Sequence, residues 1–134
     1  MVTMHRWKDP FGWTLIELTI VISLITILST IALVGYRSAI TRSREAVLKE
    51  NLFRMRDAID QHYADRGEYP LELGSLVTDG YLRSVPDDPF TSSPDTWIPI
   101  PAETDRLNEL TRGIYDVRSA SEETALDGTL YAEW

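Results

Sequence analysis

Few side chains of this sequence have the type and spacing that acid–base chemistry needs. Asp87 and Asp88 are adjacent carboxylates, which could act as a general acid and a general base. They stand between Pro86 and Pro89, which favours a turn, and neighbours in an extended chain point to opposite sides. His62 falls among apolar residues at helical spacing, which indicates a packing role. With no cysteine, no phosphate-binding glycine loop and no nucleophile beside a base, the sequence predicts a protein that is not an enzyme.

Glu17 is a carboxylate at the start of an apolar run. It is the only acidic residue between Trp13 and Tyr36. A charge beside hydrocarbon is costly and normally has a cationic partner. One interpretation places Glu17 at the membrane interface, where headgroup water and the positive end of a helix dipole stabilise it. In the other, Glu17 pairs with a cation of a partner chain, because this chain offers none within one helical turn.

Residues 18–36 form an uncharged run of nineteen, rich in Leu, Ile and Val. As a helix the run is about 28 Å long, close to the hydrocarbon thickness of a bilayer. A signal peptide has a shorter apolar region, and a buried core helix needs more surrounding chain than this sequence supplies. The run therefore predicts a membrane helix. Four hydroxyl residues follow one of its faces, and they serve either to pack against another helix or to bond carbonyls of their own helix. They are Thr19, Ser23, Thr26 and Thr30.

An amphipathic helix continues from the apolar run. Apolar residues recur at steps of three and four over residues 40–63. This stripe comprises Ile40, Val47, Leu52, Met55, Ile59, His62 and Tyr63. No proline interrupts residues 13–66, so the sequence predicts one helix about 80 Å long, which ends before Gly67.

The rest of the chain consists of short segments separated by prolines. Residues 71–81 predict a small helix, and residues 96–100 and 113–118 predict short strands. The predicted fold class is therefore α+β, with a long N-terminal helix that carries a small head with short antiparallel strands.

Charge is unevenly distributed along the chain. Residues 1–56 contain eight basic and four acidic residues, whereas residues 57–134 contain five and seventeen, which together give the net charge of −8. The acidic half predicts that the chain does not bind nucleic acid. Six basic residues follow the apolar run within residues 37–56 and two precede it, so the positive-inside count places the following chain in the cytoplasm.

Residues 12–18, Gly-Trp-Thr-Leu-Ile-Glu-Leu, follow a short basic leader and open the apolar run. This segment resembles the prepilin cleavage motif of the type IV pilin superfamily, which includes type IV pilins and type II secretion pseudopilins. The resemblance implies that prepilin peptidase cleaves after Gly12 and that the new terminus at Trp13 is N-methylated. It also implies that Glu17 pairs with this amine on a neighbouring subunit during assembly. The implied head lies outside the cytoplasm, opposite to the charge count, and we follow the motif.

Segments of the head resemble the G-type major pseudopilin of type II secretion. They are Gly-Glu-Tyr-Pro at 67–70, Leu-Gly-Ser-Leu at 73–76, Val-Pro-Asp-Asp-Pro-Phe at 85–90, and Trp97. The resemblance implies four regions. They are a cleaved leader (1–12), a transmembrane and filament-core helix (13–36), an amphipathic stem (37–66) and a periplasmic head (67–134).

The implied function is that of a structural subunit of the type II secretion pseudopilus, a filament that drives protein export across the outer membrane. The chain would sit in the inner membrane with a single pass and enter the periplasmic pseudopilus on assembly. Its implied partners are other copies of itself, prepilin peptidase, minor pseudopilins and the inner-membrane assembly platform. The alternatives are a type IV pilin of a surface fibre, used in adhesion, motility or DNA uptake, and a single-pass membrane-anchored binding protein.

Calcium is a further expectation from the resemblance, since G-type pseudopilins commonly bind it in a C-terminal loop. The matching stretch spans residues 116–128 and supplies carboxylate and hydroxyl oxygens of the kind that calcium prefers. The alternative is a solvated acidic loop that caps the head. The candidate ligands are Asp116, Ser119, Glu122, Glu123 and Asp127.

Overall fold

The computed structural model describes residues 11–102 and 113–134, with side chains described from Thr14 onward. Its elements are helix α1 (Phe11–Arg66), helix α2 (Leu73–Thr78), strand β1 (Ile98–Pro101), strand β2 (Ile114–Arg118) and a 3₁₀ turn (Tyr131–Glu133). The fold is α+β and pilin-like, with a long N-terminal helix and a small C-terminal part that contains two antiparallel strands. The chain divides into two compact units, Met1–Ala39 and Ile40–Trp134.

Helix α1 is long because nothing in its sequence interrupts it. It contains no proline, and its membrane half is rich in Leu and Ile. It ends at Arg66 because Gly67 adopts a left-handed conformation, with φ at 73°. The Gly67 N–H then donates to the Tyr63 carbonyl at 2.8 Å, which satisfies one of the open carbonyls at the helix end. The helix end predicted from Gly67 is confirmed.

The core of the unit Ile40–Trp134 forms along one side of α1. Leu48, Leu52, Met55 and Ile59 are each 2% exposed or less, and they follow each other at steps of four, three and four. The other parts of the unit cover this row with apolar side chains. These are Leu76, Trp97, Ile114, Val117, Ala125 and Tyr131.

The prediction that Ile40 and Val47 belong to the apolar face of the stem is wrong. Val47 is 47% exposed and Ile40 is 38% exposed, whereas Leu48 is fully buried. Leu48 lies four residues before Leu52, so it shares the face of the buried row, and Val47 lies to one side of it. Downstream, His62 is buried as predicted, but Tyr63 is 43% exposed.

Strands β1 and β2 form an antiparallel pair. Ile98 stands opposite Arg118, and Pro101 stands opposite Ile114 after an irregularity between Ile100 and Pro101. The prolines at 99 and 101 lack the N–H that a second neighbouring strand would need, so β1 suits an edge. The strands predicted at 96–100 and 113–118 are confirmed, with the first displaced by one or two residues.

Candidate functional site

The predicted assembly site lies in the first turns of α1. Gly12 and Trp13 belong to the backbone of α1, and the Trp13 side chain lies outside the described part of the chain. The Glu17 side chain is exposed, and it makes no ion pair with any residue that the structure describes. Cleavage after Gly12, methylation of Trp13 and pairing through Glu17 stay predictions.

After Glu17, α1 carries large, exposed apolar side chains of its own on several sides. Leu18, Ile22, Leu28 and Val34 lie on different sides of the helix, and they are between 55% and 68% exposed. The most apolar part of the helix has a mean hydropathy of 2.4, and none of it is buried. By length and composition, α1 can cross a membrane, and it is the one helix among the described residues that can.

The four hydroxyl side chains of this segment bond within their own helix. Each donates to the carbonyl oxygen four residues earlier, at 2.7 to 2.8 Å. The donors are Thr19, Ser23, Thr26 and Thr30. Of the two interpretations left open by the sequence, the geometry favours bonding within the helix, since no hydroxyl here needs a partner chain to satisfy its proton.

Arg56 of α1 connects the helix to the C-terminal part of the chain. Its Nε atom donates to Asp116 Oδ1 at 2.7 Å. Its Nη2 atom donates to the carbonyl oxygens of Val117 at 3.0 Å and Trp134 at 2.5 Å. The guanidinium group thus donates hydrogen bonds to one carboxylate oxygen and two carbonyl oxygens. Calcium ions bind oxygen atoms of the same two kinds. Sequence analysis missed this role, because the residues that meet are about sixty to eighty positions apart.

Three of the five calcium candidates contact other side chains of the protein. Asp116 pairs with Arg56, and the Ser119 hydroxyl is buried and donates to Asp88 Oδ2 at 2.5 Å. Asp127 accepts hydrogen bonds from the hydroxyl and N–H of Thr129, which lower the pKa of Asp127 together with the nearby charge of Lys49.

Glu122 is exposed, and the Glu123 carbonyl accepts the Tyr131 N–H at 3.2 Å. Within residues 11–102 and 113–134, no three His, Cys, Asp or Glu side chains gather as a metal site. Calcium binding by this stretch stays a prediction, and nothing proposed below depends on it.

Asp88 has a buried carboxylate, whereas the sequence predicted only that this residue lies in a turn. Its Oδ1 atom accepts the N–H groups of Phe90 at 2.8 Å and Thr91 at 3.4 Å, and its Oδ2 atom accepts Ser119. The Asp side chain that bonds the N–H two residues later is a recognisable turn signal, but the contact with Ser119 is long-range. The neighbouring Trp97 donates from Nε1 to the Pro86 carbonyl at 2.7 Å, so two of the head segments identified in the sequence meet in space.

His62 has a structural role at the end of α1. Its ring lies 2.9 Å from the Glu68 carbonyl through Nδ1 and 3.4 Å from Asp79 Oδ2 through Nε2. Arg66 also binds Asp79, at 2.9 Å. The prediction that His62 packs, rather than reacts, agrees with this burial.

Comparison with known proteins gives one relative. The chain is 34% identical over 79 residues to the fimbrial protein EcpC of Eikenella corrodens, a match that covers 55% of this chain and 52% of that protein. The chain thus spans about half the length of the curated relative it matches. No family model matches the chain, and no solved structure matches it. The similarity fits a pilin-like chain, and it does not single out a pseudopilin.

Proposed function

We propose that this chain is a non-enzymatic subunit of a type IV pilin-like fibre. The observation that carries the proposal is the apolar surface of α1 between Leu15 and Val34, where every large apolar side chain is at least 46% exposed. Apolar surface of this extent is unfavourable in water and requires cover. A membrane provides that cover before assembly, and the apolar helices of other copies provide it in a fibre core. The similarity to a fimbrial protein supports the same conclusion.

Assembly in this proposal depends on the start of α1. Prepilin peptidase removes residues 1–12, Trp13 becomes the methylated terminus, and Glu17 binds the Trp13 amine of a neighbouring copy. The exposed position of Glu17 supports this pairing. A carboxylate beside apolar helices is stabilised when a cation meets it, so subunits that bring the two charges together are favoured.

The specific fibre proposed is the periplasmic pseudopilus of type II secretion, assembled from the inner membrane together with minor pseudopilins and the assembly platform. The head segments at 67–70, 73–76 and 85–90 and the absence of cysteine support this choice. The second candidate is a surface pilus, which the fimbrial relative favours. Electron microscopy of sheared cells separates the two, because only a surface pilus yields long external fibres whose loss leaves protein secretion unchanged.

The proposal is tested by the mass of the N-terminal peptide and by a Glu17→Gln variant. We expect a peptide that begins at methylated Trp13, and fibre yield reduced at least tenfold in the variant, with the melting temperature of the head unchanged. Thr19→Val is the matched control, since it changes a nearby side chain of the same helix without removing a charge. A peptide that begins at Met1, together with no fibre from the wild-type chain, would support a membrane-anchored binding protein instead, whereas normal fibre yield from Glu17→Gln would contradict the pairing through Glu17.

A further inference from the structure

Phe53 projects from α1 within the unit Ile40–Trp134. Its side chain is 66% exposed, whereas Leu52 next to it is buried. Lys49 and Arg56 lie one turn before and after Phe53 and line the same open groove. Arg56 is held in place by Asp116 at 2.7 Å. The exposed Phe53 ring therefore lies between two cationic side chains, in a groove whose one acidic lining residue is Asp127.

A separate cavity of about 370 Å³ lies in the same unit, and none of its lining residues belongs to the groove around Phe53. Its walls are mainly apolar and include Leu71, Val85, Trp97 and Ile114. Its charged lining residues are two carboxylates, Glu72 and Asp95, and no lining residue is basic. The cavity is therefore mainly apolar, and two acidic side chains form part of its wall.

We propose that Phe53 of one copy of the chain inserts into this cavity of a second copy, with Lys49 and Arg56 near Glu72 and Asp95. This proposal rests on the proposed function, because it requires that copies of the chain associate. The cavity is large enough for a phenyl group, and its two carboxylates are opposite in charge to the two cations on either side of Phe53, which outnumber the one carboxylate of that groove, Asp127. Opposite charges at an interface favour one orientation and suppress others.

A second copy is the occupant that fits, because the chain itself carries both halves of the contact. The two halves lie at different places on the surface, so the contact is head-to-tail rather than a two-fold pairing. An assembly of any length therefore still has a free Phe53 side chain at one end and a free cavity at the other. Such contacts generate rings or open filaments rather than dimers, which matches a fibre subunit.

The absence of native cysteine allows a direct cross-linking test. The full chain would be produced with Glu50→Cys and Leu71→Cys together, which keeps Phe53 because position 50 is exposed one turn before it on α1, and its assembled fibres would be treated with a bis-maleimide. We expect a ladder of covalent dimers, trimers and longer products, because the contact brings each Cys at 50 close to a Cys at 71 of the next copy. The matched control is Asp60→Cys with Leu71→Cys, since position 60 is exposed on α1, lines neither surface and lies two turns beyond Phe53.

The outcomes separate this inference from the proposed function. Normal fibres without a ladder from the 50 and 71 pair would overturn the inference and leave the fibre function in place. Dimers from Glu50→Cys alone would also overturn it, because they indicate a two-fold contact. If the wild-type chain forms no fibre, both the proposed function and the inference fail.

A side-chain truncation gives a second measurement that needs no cross-linker. Phe53→Ser removes an exposed group, so the melting temperature of the head should remain unchanged. We expect the protein concentration at which fibres form to rise about tenfold or more, as for the loss of a buried aromatic anchor. Val47→Ser, on the same helix and 47% exposed, should change it less than about twofold. Equal effects of the two substitutions would contradict the proposed contact.

Discussion

Tyr131 is a buried phenol whose hydroxyl donates to Glu45 of α1 at 3.0 Å. Burial, followed by the hydrogen bond and charge of Glu45, raises the pKa of Tyr131 from 10.0 to about 12. The folded state therefore favours the neutral phenol. The stability this provides is present below about pH 10 and is lost as the pH rises from 10 to 12.

An ultraviolet titration of tyrosine absorbance should show a step near pH 12 that belongs to Tyr131. A Tyr131→Phe variant should lose this late step, and the fall in its melting temperature between pH 10 and 12 should be shallower than for the wild type. A wild-type titration without a step near pH 12, or the same late step in Tyr131→Phe, would contradict the burial of Tyr131.

Arg56 is the residue that we expect to matter most for the attachment of the C-terminal segment. Arg56→Met removes one ion pair and two hydrogen bonds to carbonyls, and it leaves Asp116 with a side chain that is 19% exposed and has lost its cation. We expect a loss of about 1 to 3 kcal/mol in the free energy of unfolding. Thermal unfolding of the full chain in detergent, followed by aromatic circular dichroism, measures it.

Arg54→Met is the matched control for that experiment. Arg54 pairs with Glu50 on the same helix, but the two side chains are 67% and 55% exposed, so the expected loss is below about 0.5 kcal/mol. Similar losses from the two variants would mean that the contacts of Arg56 add little beyond those of a surface ion pair.

At the level of the elements, Gly113 fixes the entry into β2. Its φ is 140°, and a Cβ atom there would lie 2.6 Å from the Tyr69 carbonyl oxygen. Gly113→Ala should therefore destabilise the head by about 2 to 4 kcal/mol, through backbone strain and a clash with main-chain atoms that cannot move easily. Gly74→Ala is the control, because Gly74 lies in α2 with no atom within 4 Å of such a Cβ. Equal melting temperatures for the two variants would rule out the close approach of Tyr69.

The sequence predicted elements wherever local rules determine them. Helix α1 has no internal proline and ends at Gly67, and β1 and β2 lie where short apolar segments stand between turn residues. It did not predict contacts that depend on tertiary packing. Whether Val47 or Leu48 is buried depends on how the head lies on α1, and the bond between Asp88 and Ser119 joins residues thirty-one positions apart. The candidate site was predicted only in part for the same reason, since Arg56 gave no local signal.

At the level of the whole molecule, the distribution of charge predicts how fibres respond to salt. Residues 1–56 are net basic and residues 57–134 are net acidic, so parts of opposite charge on neighbouring copies attract, whereas the net charge of −8 makes whole copies repel. The proposed contact of Phe53 brings cations to carboxylates, so attraction should dominate at short range. We therefore expect fibres to weaken as sodium chloride rises from about 0.01 to 1 M, where the screening length falls from about 30 to 3 Å.

Sedimentation of fibres across this salt series measures the effect, and the variant Lys49→Gln is the informative comparison. Lys49 lies beside Phe53 and its ammonium sits 4.3 Å from the centre of the Trp134 ring, so its removal takes one cation from the contact. We expect Lys49→Gln fibres to be weaker than wild type at low salt and to depend less on salt. Fibres that strengthen as salt rises would mean that repulsion between the acidic copies is the dominant electrostatic force, and that apolar contacts of α1 hold the fibre together against it.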